Sequence, residues 1–261
     1  MIDLYLLYQI YAFIFGALFG SFLNVVIYRV PENKSVVFPP SRCPVCQHKI
    51  KWYENIPILS WIFLRGKCSG CKTKISFQYP LIELLMGLAS FFLFPGNLDF
   101  NWISLVIYLG KYFVFFIFVA HFMIDIKHKI LPDGLNIFLM ILFLPYVISY
   151  FSPYHYLVGG LIGFLGPLSI TYLFYKLKGQ VGLGGGDIKL YGILGLYLGP
   201  LGILNNIFLS SMSGTLFALA LILTGKMKRD QPIAFGPFII IIAVIQIYFP
   251  QLYQLISLIP Y

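Results

Sequence analysis

A chain of 261 residues that is 59% hydrophobic and only 10% charged differs from soluble domains, in which about 25% of the residues are charged. Its mean hydropathy is +0.87. This composition indicates a membrane protein and excludes an ordinary soluble enzyme with one large core. The net charge of +9 requires no nucleic-acid partner, because a basic rim is typical of proteins that cross a membrane several times.

Apolar stretches of near-spanning length predict an all-α polytopic membrane protein with about eight transmembrane helices. They lie at about 4–28, 80–96, 102–124, 135–151, 155–175, 188–204, 205–224 and 235–258. The sixth and seventh spans are separated only by glycine, proline and asparagine residues between 199 and 206. Seven spans instead of eight would move the C-terminus to the cytoplasmic side.

The basic residues predict the orientation of these helices. With the N-terminus outside, the connections at 29–79, 125–134, 176–189 and 225–234 face the cytoplasm. They hold all 18 lysines and arginines except Lys111. The excess of positive charge on these loops therefore favours eight spans, with the N-terminus outside and the four connections in the cytoplasm. Residues 1–28 form the first transmembrane helix, an anchor and not a cleaved signal, because the basic residue follows the apolar run.

The only sizeable soluble segment, residues 29–79, contains two CxxC pairs, CPVC and CSGC. The four cysteines are Cys43, Cys46, Cys68 and Cys71. Two such pairs can close a tetrahedral site, so this segment is predicted to be a small cytoplasmic zinc-ribbon-like domain with structural Zn²⁺. Disulfides or a redox pair are the alternative, but a reducing cytoplasm disfavours structural disulfides.

Two acids, Glu83 and Asp133, lie at predicted helix ends, and each has a simple structural interpretation. Glu83 follows Pro80 near the start of the second span, where the helix dipole favours a carboxylate. A capping role and a functional role are both open for it. Asp133 in the sequence LPDG is typical of a turn and a helix N-cap.

Asp125 and Asp187 lie where membrane-length stretches meet short basic loops, in IDIKHKILPD (124–133) and GLGGGDIK (182–189). Each could cap a helix end. A carboxylate at the membrane edge is costly, however, and indicates a functional site. The glycines at 184–186 remove every side chain next to Asp187, which suits the close approach of a peptide backbone. A phosphate-binding loop is less consistent, because no Gly-Lys-Ser/Thr sequence follows.

If Asp125 and Asp187 face each other, the two carboxylates share a proton and titrate as a pair. One can deprotonate a water molecule, and the other can protonate the carbonyl oxygen or the leaving amine of a substrate. Such a pair cleaves a peptide bond without a covalent enzyme intermediate. The interpretation depends on the two acids lying on the same side of the membrane, which the charge distribution predicts.

Several motifs in fixed order resemble those of the bacterial prepilin peptidases over residues 16–200. They are GSFLNVVIYRVP (20–31), the paired CxxC with NIPILSWIFLRGKC (55–68), YPLIELLMG (79–87), IDIKHKILPD and GGGDIKL. The resemblance implies an inner-membrane aspartic protease of the GxGD type. Such enzymes cut the basic leader of type IV prepilins or pseudopilins after a glycine, on the cytoplasmic side. Many also N-methylate the new N-terminus with S-adenosylmethionine.

The resemblance places Asp125 and Asp187 at the catalytic positions and the four cysteines at the zinc positions. It makes residues 80–261 a transmembrane peptidase domain. Other residues near the motifs are expected to bind substrate or to support the site: Gly184, Gly185, Gly186, Lys189, Asp133 and Glu83.

Two other classes of protein were weighed. A polytopic transporter that uses the inner-edge carboxylates would also contain membrane acids and glycine-broken helices, and Lys111 within the third span suits it. Transporter sites usually lie near the middle of the membrane, however, whereas both acids lie at its inner edge. An inactive zinc-ribbon scaffold explains the cysteines but leaves the glycine–aspartate loop without a role.

Overall fold

The computed structural model describes residues 4–95, 101–149, 153–180, 182–228 and 231–257. Most of these residues are helical, with two isolated antiparallel bridges and no strand among them. The chain divides into two compact units, an N-terminal unit of residues 1–116 and a C-terminal unit of residues 117–261. Arg229, which the charge analysis assigns to the last cytoplasmic connection, lies outside the described residues.

The N-terminal unit contains α1 (Leu4–Arg29), α2 (Leu59–Phe63), α3 (Gln78–Leu93) and the first part of α4 (Trp102–His128). Helices α1 and α3 pack closely because α1 carries glycine at the contact. A Cβ atom at Gly20 would lie 2.8 Å from the Cα atom of Glu83.

Buried polar groups in this unit are paired across helices. Asn24 donates to the carbonyl of Tyr79 at 3.2 Å, and Tyr112 donates to the carbonyl of Gly16 at 3.0 Å. Such bonds satisfy polar groups that would be costly in an apolar environment, and they fix the register of the helices.

The C-terminal unit contains the end of α4 and five further helices. These are α5 (Asp133–Ser149), α6 (Pro153–Lys178), α7 (Gly185–Leu223), α8 (Gly236–Tyr248) and α9 (Pro250–Ile256). Helix α7 is broken at Gly199, whose φ of 69° and ψ of −178° are not helical, and Pro200 follows. Proline lacks the N–H that would continue the hydrogen-bond ladder, so the break coincides with the lost donor.

A polar clamp holds α8 against α7. Asn206 on α7 donates to Oε1 of Gln246 on α8 at 2.7 Å. Gln246 donates to the carbonyl of Gly202 at 2.9 Å. All three residues are buried, and Gln246 is near the C-terminal end of α8, so these bonds hold that end of α8 against α7.

The structure confirms the all-α membrane class, with described helices at every predicted span. The sixth and seventh spans are the two arms of α7, and they meet at Gly199, earlier than the predicted boundary. Within the described residues, four helices are long and apolar enough to cross a membrane, or five if the bent pair α8–α9 counts as one span. Helix α3 and most of α5 are shorter apolar helices, so the number eight stays a prediction.

Candidate active site and metal centre

Asp125 lies in the last turn of α4 and is only 4% exposed. Its Oδ2 atom accepts a hydrogen bond from the backbone N–H of Gly236 at 2.9 Å. Gly236 is the first residue of α8 and Pro237 follows it, an arrangement that suits a helix start. The free N–H groups and the dipole at a helix N-terminus attract a carboxylate. A Cβ atom at Gly236 would lie 2.8 Å from Oδ2 of Asp125, so this approach requires glycine.

A second contact fixes the segment that precedes α8. The ammonium group of Lys129, just after α4, donates to the carbonyl of Pro232 at 2.8 Å. This bond and the one between Asp125 and Gly236 join the same two segments, so the end of α4 and the start of α8 are held together at two points.

Asp187 is in the first turn of α7, three residues after the N-cap Gly184. Its carboxylate interacts with the backbone N–H of Gly184, which is the local capping interaction that the sequence also allowed. That interaction does not account for both oxygens. The Oδ1 atom is buried and has no hydrogen-bond partner among the described residues. One oxygen of Asp187 therefore remains available for another group.

The two acids approach each other inside the C-terminal unit, close enough for their charges to interact. Leu131, in the connection between α4 and α5, lies beside the glycine that neighbours each acid. A Cβ atom at Gly186 would lie 3.0 Å from the Cβ atom of Leu131, and one at Gly236 would lie 3.2 Å from its Cδ2 atom. The structure thus brings together two carboxylates from motifs that are far apart in the sequence.

The three glycines before Asp187 have different surroundings. A Cβ atom at Gly184 would lie 2.9 Å from Oδ2 of Asp187, and one at Gly186 would press against Leu131. Gly185 has no atom within 4 Å of such a position. At Gly184 and Gly186 a larger side chain would collide with neighbouring atoms, so packing requires glycine there. Of the three glycines, only Gly185 faces open space.

Lys189 and Asp133 form an ion pair of 2.7 Å, with both side chains at least half exposed. Such a pair contributes little to stability. Asp133 is the first residue of α5, close to the helix N-cap role that the LPDG sequence indicates. Both residues are in the C-terminal unit, and the ammonium group of Lys189 is paired with the carboxylate of Asp133.

Glu83 is in the N-terminal unit and is 7% exposed. Of the two roles that the sequence leaves open for Glu83, capping is excluded, because α3 begins at Gln78, before Pro80, and Glu83 lies beyond the first turn. Its carboxylate accepts the backbone N–H of Ile58 at 2.7 Å. Ile58 has a φ of 64°, a conformation unfavourable for a β-branched residue, so Glu83 stabilises a strained start of α2.

Gly236 was not singled out from the sequence. A Gly-Pro pair at the start of an apolar stretch does predict a helix N-terminus. It does not predict which side chain approaches that N-terminus, because Asp125 is more than a hundred residues earlier in the chain.

The four cysteines form a candidate metal centre. Their sulfur atoms all lie within 4.8 Å of one another. The Cys43–Cys71 and Cys46–Cys68 sulfur pairs are 3.8 and 3.9 Å apart. Four thiolates at about 2.3 Å from one tetrahedral ion would be separated by about 3.8 Å. The donor set therefore fits a single tetrahedral metal ion.

Two turns of the same shape hold these sulfurs. In the first, the N–H of Gln47 donates to the carbonyl of Cys43 at 2.9 Å, and in the second, the N–H of Lys72 donates to the carbonyl of Cys68 at 3.0 Å. Gln47 and Lys72 have left-handed φ values of 60° and 61°. An isolated antiparallel bridge closes each turn. The repeated geometry is typical of paired metal-binding knuckles.

The surroundings of Cys71 favour the metal-binding form, whereas at Cys46 a backbone hydrogen bond at His48 is outweighed by burial and the neighbouring thiols, which raise the pKa of the Cys46 thiol to about 11. The hydroxyl of Thr73, 3.2 Å from the sulfur, and its backbone N–H lower the pKa of the Cys71 thiol to about 6. The thiolate is the form that binds a metal. His48 lies 3.3 Å from the carboxylate of Glu54, so the structure gives His48 a partner other than a metal.

Comparison with known proteins is consistent with this geometry. The family model of the bacterial peptidase A24 N-terminal domain matches residues 14–95, and that of the type IV leader peptidase family matches residues 112–219. No solved structure matches the chain.

Three relatives illustrate the similarity, and each is named prepilin leader peptidase/N-methyltransferase. The protein of Stutzerimonas stutzeri is 36% identical, over 88% of this chain and 86% of its own length. That of Aeromonas salmonicida strain A449 is 34% identical, over 90% and 88%. That of Myxococcus xanthus strain DK1622 is 36% identical, over 88% and 70%. The chain therefore belongs to the type IV leader peptidase family.

Proposed function

We propose that the chain is a membrane aspartic endopeptidase that removes the leader of type IV prepilins or pseudopilins, with Asp125 and Asp187 as its catalytic pair. The observation that carries this assignment is the proximity of the two carboxylates, whose charges interact. One of them, Asp187, has a buried oxygen without a hydrogen-bond partner among the described residues. The relatives that match most of the chain carry peptidase names. Nothing in the fold or in these similarities favours a transporter.

The chemistry follows from the positions of the two acids. A water molecule between them gives a proton to one carboxylate, and its oxygen attacks the carbonyl carbon of the scissile peptide. The other carboxyl group donates a proton to the leaving amine, the C–N bond breaks, and the new carboxylate and amine separate. The N–H of Gly236 holds the Asp125 carboxylate in one orientation, which limits the reorganisation needed during the reaction.

The substrate is expected to be a peptide whose apolar helical stem lies in the membrane. Its scissile bond would reach the acids at the cytoplasmic face, where the distribution of basic residues places them. The open space at Gly185 allows an extended backbone to pass beside Asp187. This orientation makes the chain a multi-pass protein of the inner membrane with its N-terminus outside and its active site facing the cytoplasm.

The four cysteines are proposed to hold a structural Zn²⁺ ion. The sulfur spacing fits tetrahedral coordination. Four thiolates fill the coordination sphere, so the ion would stabilise the fold of residues 42–74 and would offer no position for substrate.

A second activity, N-methylation of the new N-terminus, is supported by the names of the relatives. S-adenosylmethionine would be its second substrate. The N-terminal unit contains a cavity of about 260 Å³ lined partly by Ser21, Phe22 and Arg29. The Arg29 guanidinium already donates to the carbonyls of Ser35 and Pro39. We therefore do not assign this cavity to the methyl donor.

Coexpression with a type IV prepilin tests the function as a whole. Mass spectrometry of the pilin N-terminus is expected to show loss of the leader, and an added methyl group if the second activity is present. An uncleaved prepilin beside a stably expressed enzyme would contradict the proposal, and transport of a small solute by the purified protein would support the alternative.

The substitution Gly236→Ala is expected to lower kcat by about 10–100-fold, because the new methyl group would displace the Asp125 carboxylate. The measurement is cleavage of a prepilin peptide by the purified protein. Gly134→Ala is the matched control, since no atom lies within 4 Å of its added Cβ, and it should stay within about twofold of the unmodified protein. Equal losses in the two variants would contradict a specific role for Gly236.

The glycine loop gives a prediction that separates packing from substrate approach. Gly184→Ala should lower kcat by about tenfold or more, because its Cβ would push against the Asp187 carboxylate. Gly185→Ala meets nothing in the structure and should raise KM about fivefold with little change in kcat, because it occupies the space left for the peptide. The same kinetic change in both variants would show that the glycines do not have these distinct roles.

A further inference from the structure

A buried imidazole lies on the helix that carries Asp125 and is not used in the mechanism above. His121 on α4 is 0% exposed, and neither ring nitrogen has a hydrogen-bond partner among the described residues. Asn136 on α5 is 3% exposed, and neither atom of its amide group has such a partner. Buried polar atoms are almost always paired, because an unpaired one costs about 1–3 kcal/mol. Four unpaired atoms in two neighbouring residues therefore indicate a polar site.

The two side chains are close to each other but not directly bonded. The Asn136 amide is close enough to the His121 ring to interact with it electrostatically. No hydrogen bond of acceptable geometry joins the two groups. Buried polar groups without a protein partner are typically satisfied by an ordered water molecule. The imidazole and the amide together offer the two to four partners that a buried water molecule requires.

This polar site is next to the candidate catalytic pair. His121 precedes Asp125 by four residues, so both side chains lie on one face of α4, one helical turn apart. Asn136 is in the first turn of α5. The connection between α4 and α5 contains Leu131, which packs against the glycines beside both acids.

We propose that His121 and Asn136 form a water-retaining pocket that supplies the nucleophilic water to Asp125 and Asp187 while substrate occupies the site. The inference rests on the proposed peptidase function. A substrate whose apolar stem lies against the acids blocks bulk water, although hydrolysis consumes one water molecule in each turnover. The two residues act through that water molecule and are positioning residues.

Other buried polar side chains in the C-terminal unit serve packing by hydrogen-bonding each other directly, unlike His121 and Asn136. Tyr191 and Ser210 share a hydrogen bond of 2.6 Å, and Asn206 donates to Gln246 at 2.7 Å. The first bond joins the two arms of α7, and the second joins α7 to α8. His121 and Asn136 connect nothing directly, so retention of a small polar molecule accounts for them better than helix packing does.

Steady-state cleavage of a prepilin peptide by the purified full-length protein tests the proposal. His121→Leu and Asn136→Leu should each lower kcat about 10–100-fold with KM within about twofold, because binding is intact and the chemical step lacks water. The double variant should be no slower than the worse single variant, since both changes disrupt one water site. His121→Gln keeps hydrogen-bonding capacity and should recover most of the activity.

Ile117→Ala is the matched control, because Ile117 is a fully buried residue on α4 one turn before His121, on the side away from Asp125. It creates a cavity without changing polarity, and its kcat should stay within about threefold. Normal kcat in His121→Leu, equal losses in Ile117→Ala, or failure of His121→Gln to recover activity would each overturn the proposal. Cleavage that persists in Asp125→Asn would instead overturn the peptidase assignment itself, so the two failures can be distinguished.

Discussion

Replacement of Asp187 by Asn is expected to lower the rate of leader cleavage by about 10²–10⁴-fold, the usual contribution of a general acid or base. The same loss is expected for Asp125→Asn. Asparagine has nearly the same shape as aspartate, and its amide oxygen can still accept the N–H of Gly184 or of Gly236. The substitution therefore removes proton transfer while it preserves the local contacts.

The measurement for these variants is the rate of peptide cleavage by purified protein, with the amount of membrane-inserted protein as the control for folding. The double variant should lose no more than the worse single variant, because both residues serve one step. Full activity in either single variant would show that the two acids do not form a catalytic pair. If Asp187 served only as a cap, asparagine would replace it with little change in stability and would leave cleavage intact.

The second large effect is expected for the metal centre. Cys43→Ser and Cys68→Ser should each reduce bound zinc from one ion per chain to a small fraction, because a structural site binds zinc with about 10–16 kcal/mol and loses most of that with a ligand. Both residues are buried, so the segment around them should also become sensitive to limited proteolysis.

Elemental analysis of the purified protein measures the zinc, and His48→Ala is the matched control. His48 lies beside the cysteines but pairs with Glu54, so its loss should leave the metal content unchanged. Retention of zinc in Cys43→Ser would contradict a four-cysteine site. A protein that contains no zinc but shows disulfides under non-reducing conditions would favour the alternative that the sequence left open.

The sequence carried most of the information about this site because two local motifs contain its acids. IDIKHKILPD and GLGGGD each combine an apolar helix end, an acid and a turn, and the order of charges places both on one side of the membrane. The paired CxxC motifs were also predictable from local sequence, because two residues between the cysteines of each pair favour a metal-binding turn.

Contacts between distant parts of the chain could not be predicted in this way. The bond between Gly236 and Asp125 depends on how α8 packs against the end of α4, and no local pattern encodes that packing. The partner of Glu83 could not be predicted for the same reason, because it is the N–H of Ile58 in a preceding segment. His121 is surrounded by apolar residues in the sequence, and its lack of partners becomes visible only in three dimensions.

The break in α7 could be predicted from the local sequence only approximately. Gly199 and Pro200 were among the residues that interrupt the apolar run, and the helix does break there. The predicted boundary lay further along, at 204–205, because hydropathy alone does not locate a kink within a continuous apolar stretch. Proline without an N–H and glycine with positive φ determine the site of the break.

The most direct test of the account is single-turnover cleavage of a prepilin peptide by the purified protein in ¹⁸O-labelled water, with mass spectrometry of the released leader. Attack by a water molecule held between Asp125 and Asp187 predicts one ¹⁸O atom in the new carboxylate of the leader, no covalent enzyme–leader species, and no leader from either asparagine variant. Leader released by Asp125→Asn or Asp187→Asn at the rate of the unmodified protein, or a leader covalently attached to the enzyme, would contradict it.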